Sequence, residues 1–172
     1  MRFRDVPQYV RDGGYQVDIP LDMLIDTINR FTDSYCLQMQ PDFQRAHVWT
    51  DEQSSRYVEF LLRGGRSSRI IYFNHPGWQD SYEGEFVLVD GLQRVNACLR
   101  FLRNELTIFH GQYFGDFTDT LPPLQGLKFN INSLKTRAEV LQWYLDLNEG
   151  GVVHTTDELD RVRAMLEAEK GT

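Results

Sequence analysis

Cysteine is nearly absent from this chain. Among its 172 residues only Cys36 and Cys98 are cysteines, and neither belongs to a C-x-x-C pair. A framework of disulfides needs more cysteines than this, so the sequence is not that of a small disulfide-stapled secreted domain. Cys98 lies among apolar residues of a predicted helix, which favours a buried thiol. Such cysteine usage is typical of a reducing compartment, and we expect a soluble cytoplasmic protein.

Long hydrophobic runs and an excess of positive charge are missing too. Residues 1–14 contain no apolar segment of the signal-peptide kind, and no run reaches membrane-spanning length, so we expect no membrane partner. The chain has 18 Lys and Arg against 25 Asp and Glu, a net charge of −7. Because nucleic-acid binding depends on basic groups that neutralise phosphates, DNA is a conceivable partner but tight binding is not expected.

Several well-known catalytic motifs are also missing. The chain has no G-x-x-x-x-G-K-[ST] phosphate loop, no G-x-G-x-x-G fingerprint, no G-x-S-x-G elbow and no H-E-x-x-H zinc motif. Its four histidines are far apart and not at the spacing of metal ligands. The sequence therefore gives no support for a P-loop NTPase, a Rossmann dehydrogenase, an α/β-hydrolase or a zinc protease.

What the sequence does contain is the composition of one folded domain. It is 41% hydrophobic and 13% aromatic, enough for a substantial core. The length is that of a single domain. We predict an N-terminal arm over residues 1–14, which ends at a pair of glycines, and a single domain over residues 15–172.

Hydrophobic periodicity predicts strands and helices in mixed order. Strands are predicted at 15–19, 36–40, 69–74, 86–90 and 127–131, helices at 20–31, 51–63, 92–103, 136–147 and 156–169, and a hairpin at 106–117. Thr50 with Gln53, and Thr155 with Glu158, form capping-box patterns at the starts of two of these helices. Such a mixture indicates an α/β or α+β domain with helices packed on a sheet.

An arginine stands where the sequence predicts the first turn of a helix. The buried strand at 86–90 ends in Asp90 and Gly91, and Arg94 follows at once. A cation is usually unfavourable there, because the first backbone N–H groups of a helix have no partner within it and carry positive potential. An anion such as phosphate at this helix end would make the arginine favourable.

Each neighbour of Arg94 has a possible part in such a site. Gly91 would let the anion approach the backbone, since it has no Cβ. Gln93 would add an amide, and Asp90 would hold a metal ion, orient Arg94 or position a water. The alternative is that Asp90 is an ordinary strand-end residue and Arg94 a solvated one.

A second Gln-Arg pair precedes the helix at 51–63, in the stretch PDFQRAHVW of residues 41–49. Gln44 and Arg45 could converge with Gln93 and Arg94 on one ligand. The aromatic rings of Phe43, His47 and Trp49 would then stack on a base; otherwise Phe43 and Trp49 are core residues and His47 a loop residue. A third stretch, LNEGGVVHTT at 147–156, reads as a helix end or as part of the same site.

These three stretches, taken in order, resemble a known family. The pattern Pro41-x-Phe43-Gln44-Arg45-x-x-Val48-Trp49, then Asp90-Gly91-x-Gln93-Arg94, then Asn148-x-Gly150-Gly151 is similar to the N-terminal domain of GmrSD-type modification-dependent restriction proteins. Related phosphorothioate-sensing defence proteins carry a similar domain, which belongs to the ParB/sulfiredoxin-like superfamily. Gly91-x-x-Arg94-x-x-Ala97 also looks like the phosphate-binding box of ParB proteins. The resemblance spans roughly residues 15–160.

The resemblance implies an α+β fold of the ParB/sulfiredoxin-like type with a nucleotide site. In the family the Asp-Gly-Gln-Gln-Arg motif is tied to nucleoside triphosphate binding and hydrolysis, and Leu92 replaces its first glutamine here. Carried over, the expected catalytic residues are Asp90, Gln93 and Arg94, and Asp90 is the expected Mg²⁺ ligand. The expected nucleotide-binding residues are Gln44, Arg45, His47, Gly91 and Arg94.

Three functions follow as hypotheses. The first is a nucleotide-binding domain, with or without hydrolysis, of a restriction or phage-defence system. It would act with a nuclease or other protein subunit, since nothing here resembles the HNH nuclease domain of the larger relatives. The second is an inactive interaction module, for example a phage or mobile-element protein that binds a defence or DNA-processing partner. The third is direct DNA cleavage or sensing of modified bases.

Overall fold

A computed structural model of the chain describes residues 2, 14–44, 48–123, 125–149 and 156–171. Several sequence predictions fall on the remaining positions and so lie outside the described residues. They concern most of the N-terminal arm, the proposed ligand-binding residues Arg45 and His47, the glycine pair Gly150–Gly151, and Thr155 of the second capping box.

Within the described residues the domain is α+β, with five α-helices and one four-stranded mixed sheet. The strands are β1 (Tyr15–Pro20), β2 (Ile70–Asn74), β3 (Val87–Asp90) and β4 (Gly126–Asn132). The helices are α1 (Leu24–Tyr35), α2 (Asp51–Leu62), α3 (Leu92–Leu102), α4 (Arg137–Glu149) and α5 (Thr156–Lys170). Short 3₁₀ turns occupy Leu21–Met23 and Phe114–Asp116. This confirms the predicted class and most of the predicted elements.

The sheet has the strand order β1-β4-β2-β3. β4 pairs with β1 in antiparallel and with β2 in parallel orientation, while β2 and β3 are antiparallel. Lys128 of β4 thus lies beside Asp18 on one side and Ile70 on the other. β3 is at one edge of the sheet, and its carboxyl end leads through Gly91 into α3.

The two faces of the sheet bury two separate hydrophobic clusters. Alternate strand residues, among them Ile71, Phe73 and Phe129, pack with α1, α2 and α3 on one face. Val87 and Val89 pack with α4 and α5 on the other. Cys98 is buried in the first cluster, as predicted, and burial raises the pKa of its thiol to about 12. The alternation of strand side chains therefore assigns the helices to two layers.

Local sequence explains where two of the helices begin and end. Thr50 Oγ1 accepts a hydrogen bond from the backbone N–H of Gln53, and the Gln53 side chain accepts one from Thr50 N–H, at 3.2 and 2.9 Å. This is the predicted capping box at the start of α2. Gly64, with φ of +86°, follows the end of α2. α1 ends at Cys36, which adopts a left-handed conformation.

The predicted strand at 36–40 is wrong. Only Gln38 forms a bridge, parallel to Val87 of β3. Cys36 at one end has φ of +54°, which is not extended, and Pro41 at the other lacks the N–H that a sheet ladder needs. The segment therefore follows the edge of β3 without becoming a full strand.

Two further predictions need correction. The hairpin at 106–117 shrinks to a single bridge between Ile108 and Gln112, because Phe109, His110 and Gly111 all have positive φ and form a tight turn. Phe60 shares the helical spacing of Tyr57 and Leu61, which predicts it on the buried face of α2, but it is 38% exposed. The chain after α2 turns back at Gly65, so that the Phe60 ring lies against this glycine rather than in the core.

Candidate functional site

Gly91 forms the corner between β3 and α3, and packing alone requires a glycine there. Its φ is +106°, a conformation that side chains rarely adopt. A Cβ at this position would also lie 2.6 Å from Cδ1 of Ile71. Gly91 brings no side chain to cap α3, whose first intrahelical bond runs from Val95 N–H to the Gly91 carbonyl. The glycine is thus explained by the fold, whether or not an anion approaches its backbone.

Arg94 is held at the corner by three protein groups, one of which is the Ser68 carbonyl oxygen at 3.5 Å. Its guanidinium pairs with the Asp90 carboxylate and donates to the Ile70 carbonyl oxygen at 2.7 Å. The Arg94 side chain is only 18% exposed and that of Asp90 32%. Of the three roles predicted for Asp90, the structure therefore supports the orientation of Arg94. The alternative of a solvated arginine is wrong, because Asp90 one turn earlier balances its charge.

Gln93 points away from solvent and holds the chain that enters α2. Its Oε1 accepts hydrogen bonds from the backbone N–H groups of Val48 and Trp49, at 3.0 and 3.2 Å. The side chain is buried, so these two bonds are not in competition with water. Gln93 is thereby a positioning residue that ties the PDFQRAHVW stretch to the start of α3.

Gln44 makes the same connection from the other side. Its Nε2 donates to the carbonyl oxygens of Val89 and Leu88, at 3.1 and 3.3 Å. These carbonyls lie on the edge strand β3. Residues 44 and 48, which flank the stretch 45–47, both therefore contact the end of β3 or the start of α3. The described residues of the two stretches thus lie next to each other, while their convergence on one ligand stays a prediction.

Phe43 and Asp42 anchor the same stretch to the opposite layer. The Phe43 ring is buried, with its centroid 5.3 Å from that of Tyr144 in α4. Arg137 donates to the Asp42 carboxylate at 2.7 Å, and this hydrogen bond lowers the pKa of Asp42. Arg161 of α5 donates to the Asp42 and Phe43 carbonyls. The core interpretation of Phe43 is confirmed, and a base-stacking role is not available to its ring.

The remaining predicted residues divide between core and helix. Trp49 is half-buried and lies edge-on to Tyr57, with centroids 5.5 Å apart, so it too packs against the core. Asn148 is buried in α4, where its Nδ2 donates to the Tyr144 carbonyl at 2.6 Å. Leu92, which replaces the family's first glutamine, is buried in the first hydrophobic cluster.

The donor set at the corner fits a metal ion only in a limited way. Among the described residues, no group of three or more His, Cys, Asp and Glu side chains is placed to hold one. Asp90 is the carboxylate that the corner offers, and Arg94 contacts its Oδ2. Mg²⁺ often binds through one carboxylate together with substrate phosphates, and Oδ1 of Asp90 suits that arrangement.

Comparison with known proteins gives no further guide. No family model, curated protein or solved structure matches this chain. The similarity to GmrSD-type and ParB-like domains therefore stays a prediction that rests on the motif residues. In the part of the chain that the structure describes, no helix is both long and apolar enough to cross a membrane.

A second cluster of cations, which was not predicted from the sequence, lies at a groove lined by Asp18, Gly64, Arg66, Arg69, Ile70, Gln125 and Lys128. We call this the β1–β4 groove. A partial signal was present, since Arg63, Arg66 and Arg69 follow one another closely in an acidic chain. The proximity of Lys128 and Gln125 to these arginines could not be predicted without the strand order.

Proposed function

We propose that this protein binds a nucleoside triphosphate at the corner between β3 and α3. One observation carries the proposal: two distant stretches are tied together at this corner, because Gln44 binds backbone carbonyls of β3 and Gln93 binds the backbone N–H groups of residues 48–49. The motif residues of the resemblance thus act on one another in three dimensions. This proximity supports the resemblance on which the proposal rests.

Phosphates would lie against the first backbone N–H groups of α3, which have no partners within the helix. Arg45 and His47 would supply further contacts from the stretch between the two anchored ends. Arg94, oriented by Asp90, would attract the phosphates through its positive charge rather than bind them with both ends of its guanidinium. Two of its donors already serve protein acceptors. A Mg²⁺ ion bound with the nucleotide would neutralise phosphate charge beside Asp90.

We propose binding as the primary activity and expect hydrolysis to be slow or absent. Gln93 Oε1 is engaged by two backbone N–H groups and is not available to orient a water. Leu92 places an apolar side chain in the core where the family carries a glutamine. In this view the nucleotide is a signal, and the protein reports it to a nuclease or another subunit of a restriction or phage-defence system.

The second candidate is an interaction module without nucleotide. It is favoured by the hydrogen bonding at the corner, where the polar groups of Asp90, Gln93 and Arg94 all bond to other groups of the protein. On this alternative the motif residues serve as a structural brace, and the acidic chain binds a basic partner by charge complementarity.

Calorimetric titration with ATP, GTP, CTP and UTP, with and without Mg²⁺, separates the two candidates. We expect saturable heat with at least one nucleotide, and a loss of about tenfold or more in affinity in Arg45→Ala. Arg103→Ala is the matched control, since it removes the same charge from an exposed position just after α3. Absence of heat from all four nucleotides at millimolar concentration would leave the interaction module as the better account.

A further inference from the structure

The β1–β4 groove has a volume of about 540 Å³ and lies on the sheet face opposite α1, α2 and α3. Strand alternation sets this placement. Leu127 and Phe129 face the first hydrophobic cluster, so Lys128 between them faces the other way, in a row with Asp18 and Ile70. The α4–α5 cluster takes its strand residues from β2 and β3. The groove occupies the other half of this face.

The polar groups of the groove are nearly all hydrogen-bond donors. Arg69 is fixed, because its Nε donates to the Gly65 carbonyl at 2.7 Å and its Nη2 to Gln125 Oε1 at 3.2 Å. The two hydrogens on its Nη1 are left for other acceptors, as are those on the Gln125 amide nitrogen. Lys128 and the exposed Arg66 add two further cations.

Asp18 is the one carboxylate among the described residues of the groove, and its negative charge only weakly offsets the charges of these cations. Asp18 Oδ1 lies 3.8 Å from Lys128 Nζ, and the Asp18 side chain is 83% exposed, where ion pairs contribute little. Three cations and the fixed amide of Gln125 therefore surround a space that contains few protein hydrogen-bond acceptors to pair with them. In a chain of net charge −7, so local a concentration of donors calls for an anionic ligand.

We infer that the β1–β4 groove is a binding site for a small molecule that carries more than one phosphate group. Arginine and lysine are the residues with which proteins bind phosphate oxygens, and the fixed guanidinium of Arg69 lowers the entropic cost of doing so. The volume falls in the range of small-molecule sites and exceeds what a single phosphate would fill. No aromatic side chain is among the described residues that line the groove, so recognition would rest on the phosphates.

This site is separate from the corner proposed for the nucleotide. Its lining residues come from β1, from β4 with Gln125 just before it, and from residues 64–70, which lead into β2. The corner consists of residues 44, 48–49 and 90–94, and Arg94 adjoins the groove through its hydrogen bonds to the Ile70 and Ser68 carbonyls. Because the two sites use different side chains, failure of one proposal would not contradict the other. A ligand at the groove would act as an effector or as a second substrate of the same domain.

Titration of the ¹⁵N-labelled protein with inorganic tripolyphosphate tests the inference by NMR. We expect saturable shifts of the backbone amides of Gly64, Gly65 and Lys128. The double variant Arg66→Ala with Lys128→Ala should weaken these shifts by roughly tenfold or more in dissociation constant. Arg103→Ala should leave the dissociation constant unchanged within about twofold. The spectra themselves report whether each variant is folded.

Three outcomes would overturn the inference. The first is the absence of shifts at about ten millimolar tripolyphosphate. The second is shifts confined to the amides of residues 91–95, which would locate all binding at the corner. The third is a dissociation constant that is the same in the double variant as in the unaltered protein, which would show that Arg66 and Lys128 do not bind the ligand.

Discussion

At the scale of single residues, Gly91 is the position whose substitution the structure most strongly opposes. Two independent effects act there: a positive φ and the contact that any Cβ would make with Ile71. Gly64 shares the positive φ, at +86°, but nothing lies within 4 Å of its virtual Cβ. The two glycines thus separate backbone strain from steric overlap.

We expect Gly91→Ala to lower the free energy of unfolding by about 3 kcal/mol, from left-handed strain and overpacking together. Gly64→Ala should lower it by only about 1 kcal/mol, since strain acts alone there. Urea denaturation of both variants measures the difference. Equal losses in the two variants would show that the Ile71 contact relaxes freely and that packing does not require the glycine.

At the scale of elements, α2 and α3 begin in opposite ways. α2 starts with two reciprocal side-chain bonds between Thr50 and Gln53, whereas α3 starts at a glycine that has no side chain. The two starts are connected, because Gln93 in the first turn of α3 binds Val48 and Trp49 just before α2. The first N–H groups of an α-helix have no partner within the helix, and Gly91 offers no side-chain cap, which is the element-level reason for proposing an anion there.

Thr50→Ala should lower the free energy of unfolding by about 1 kcal/mol, because the N–H of Gln53 loses its acceptor. Thr50→Ser keeps a hydroxyl in place and should cost only a few tenths of that amount. Thermal and urea denaturation give both values. A serine variant as unstable as the alanine variant would mean that the threonine methyl group, not the cap, is responsible.

At the scale of the whole molecule, His75 links the end of β2 to the packed aromatic rings of the first layer. It is fully buried, its ring centroid is 5.2 Å from that of Phe86, and its Nδ1 accepts the N–H of Gly77 at 3.1 Å. Burial disfavours the charged imidazolium and lowers the pKa of His75 from its ordinary value of 6.5. Protonation of Nδ1 would also remove the acceptor for Gly77.

We therefore expect the protein to lose stability as pH falls below about 6.5. In that range the unfolded chain binds a proton at His75 that the folded protein does not, so acid favours unfolding. His75→Asn keeps an acceptor for the Gly77 N–H, as in an Asx turn, but does not titrate. Melting temperatures between pH 7.5 and 5 should fall less steeply in this variant. Parallel curves for the two proteins would assign the acid sensitivity to other groups.

The elements themselves were predictable from local patterns. The alternation in residues 15–19 and 127–131, the apolar run before Asp90 and the capping box at Thr50 each identified a real strand or helix start. The strand predicted at 36–40 is wrong because the alternation of apolar and polar residues continues through Cys36, whose backbone is not extended. A residue pattern shows which side chains are apolar, but it does not show the backbone conformation that tertiary contacts impose on those residues.

By itself the sequence determined the class of the domain, the order of its elements, its acidic charge and the two stretches, 41–49 and 90–94, whose described residues meet at one end of β3. The partners of the polar side chains were decided only in three dimensions. Gln44 and Gln93 bind backbone groups more than 40 residues away, and the donors of the β1–β4 groove meet because β4 lies between β1 and β2. Periodicity is a property of neighbouring residues, whereas hydrogen-bond partners and charge clusters depend on strand order, which no local pattern records.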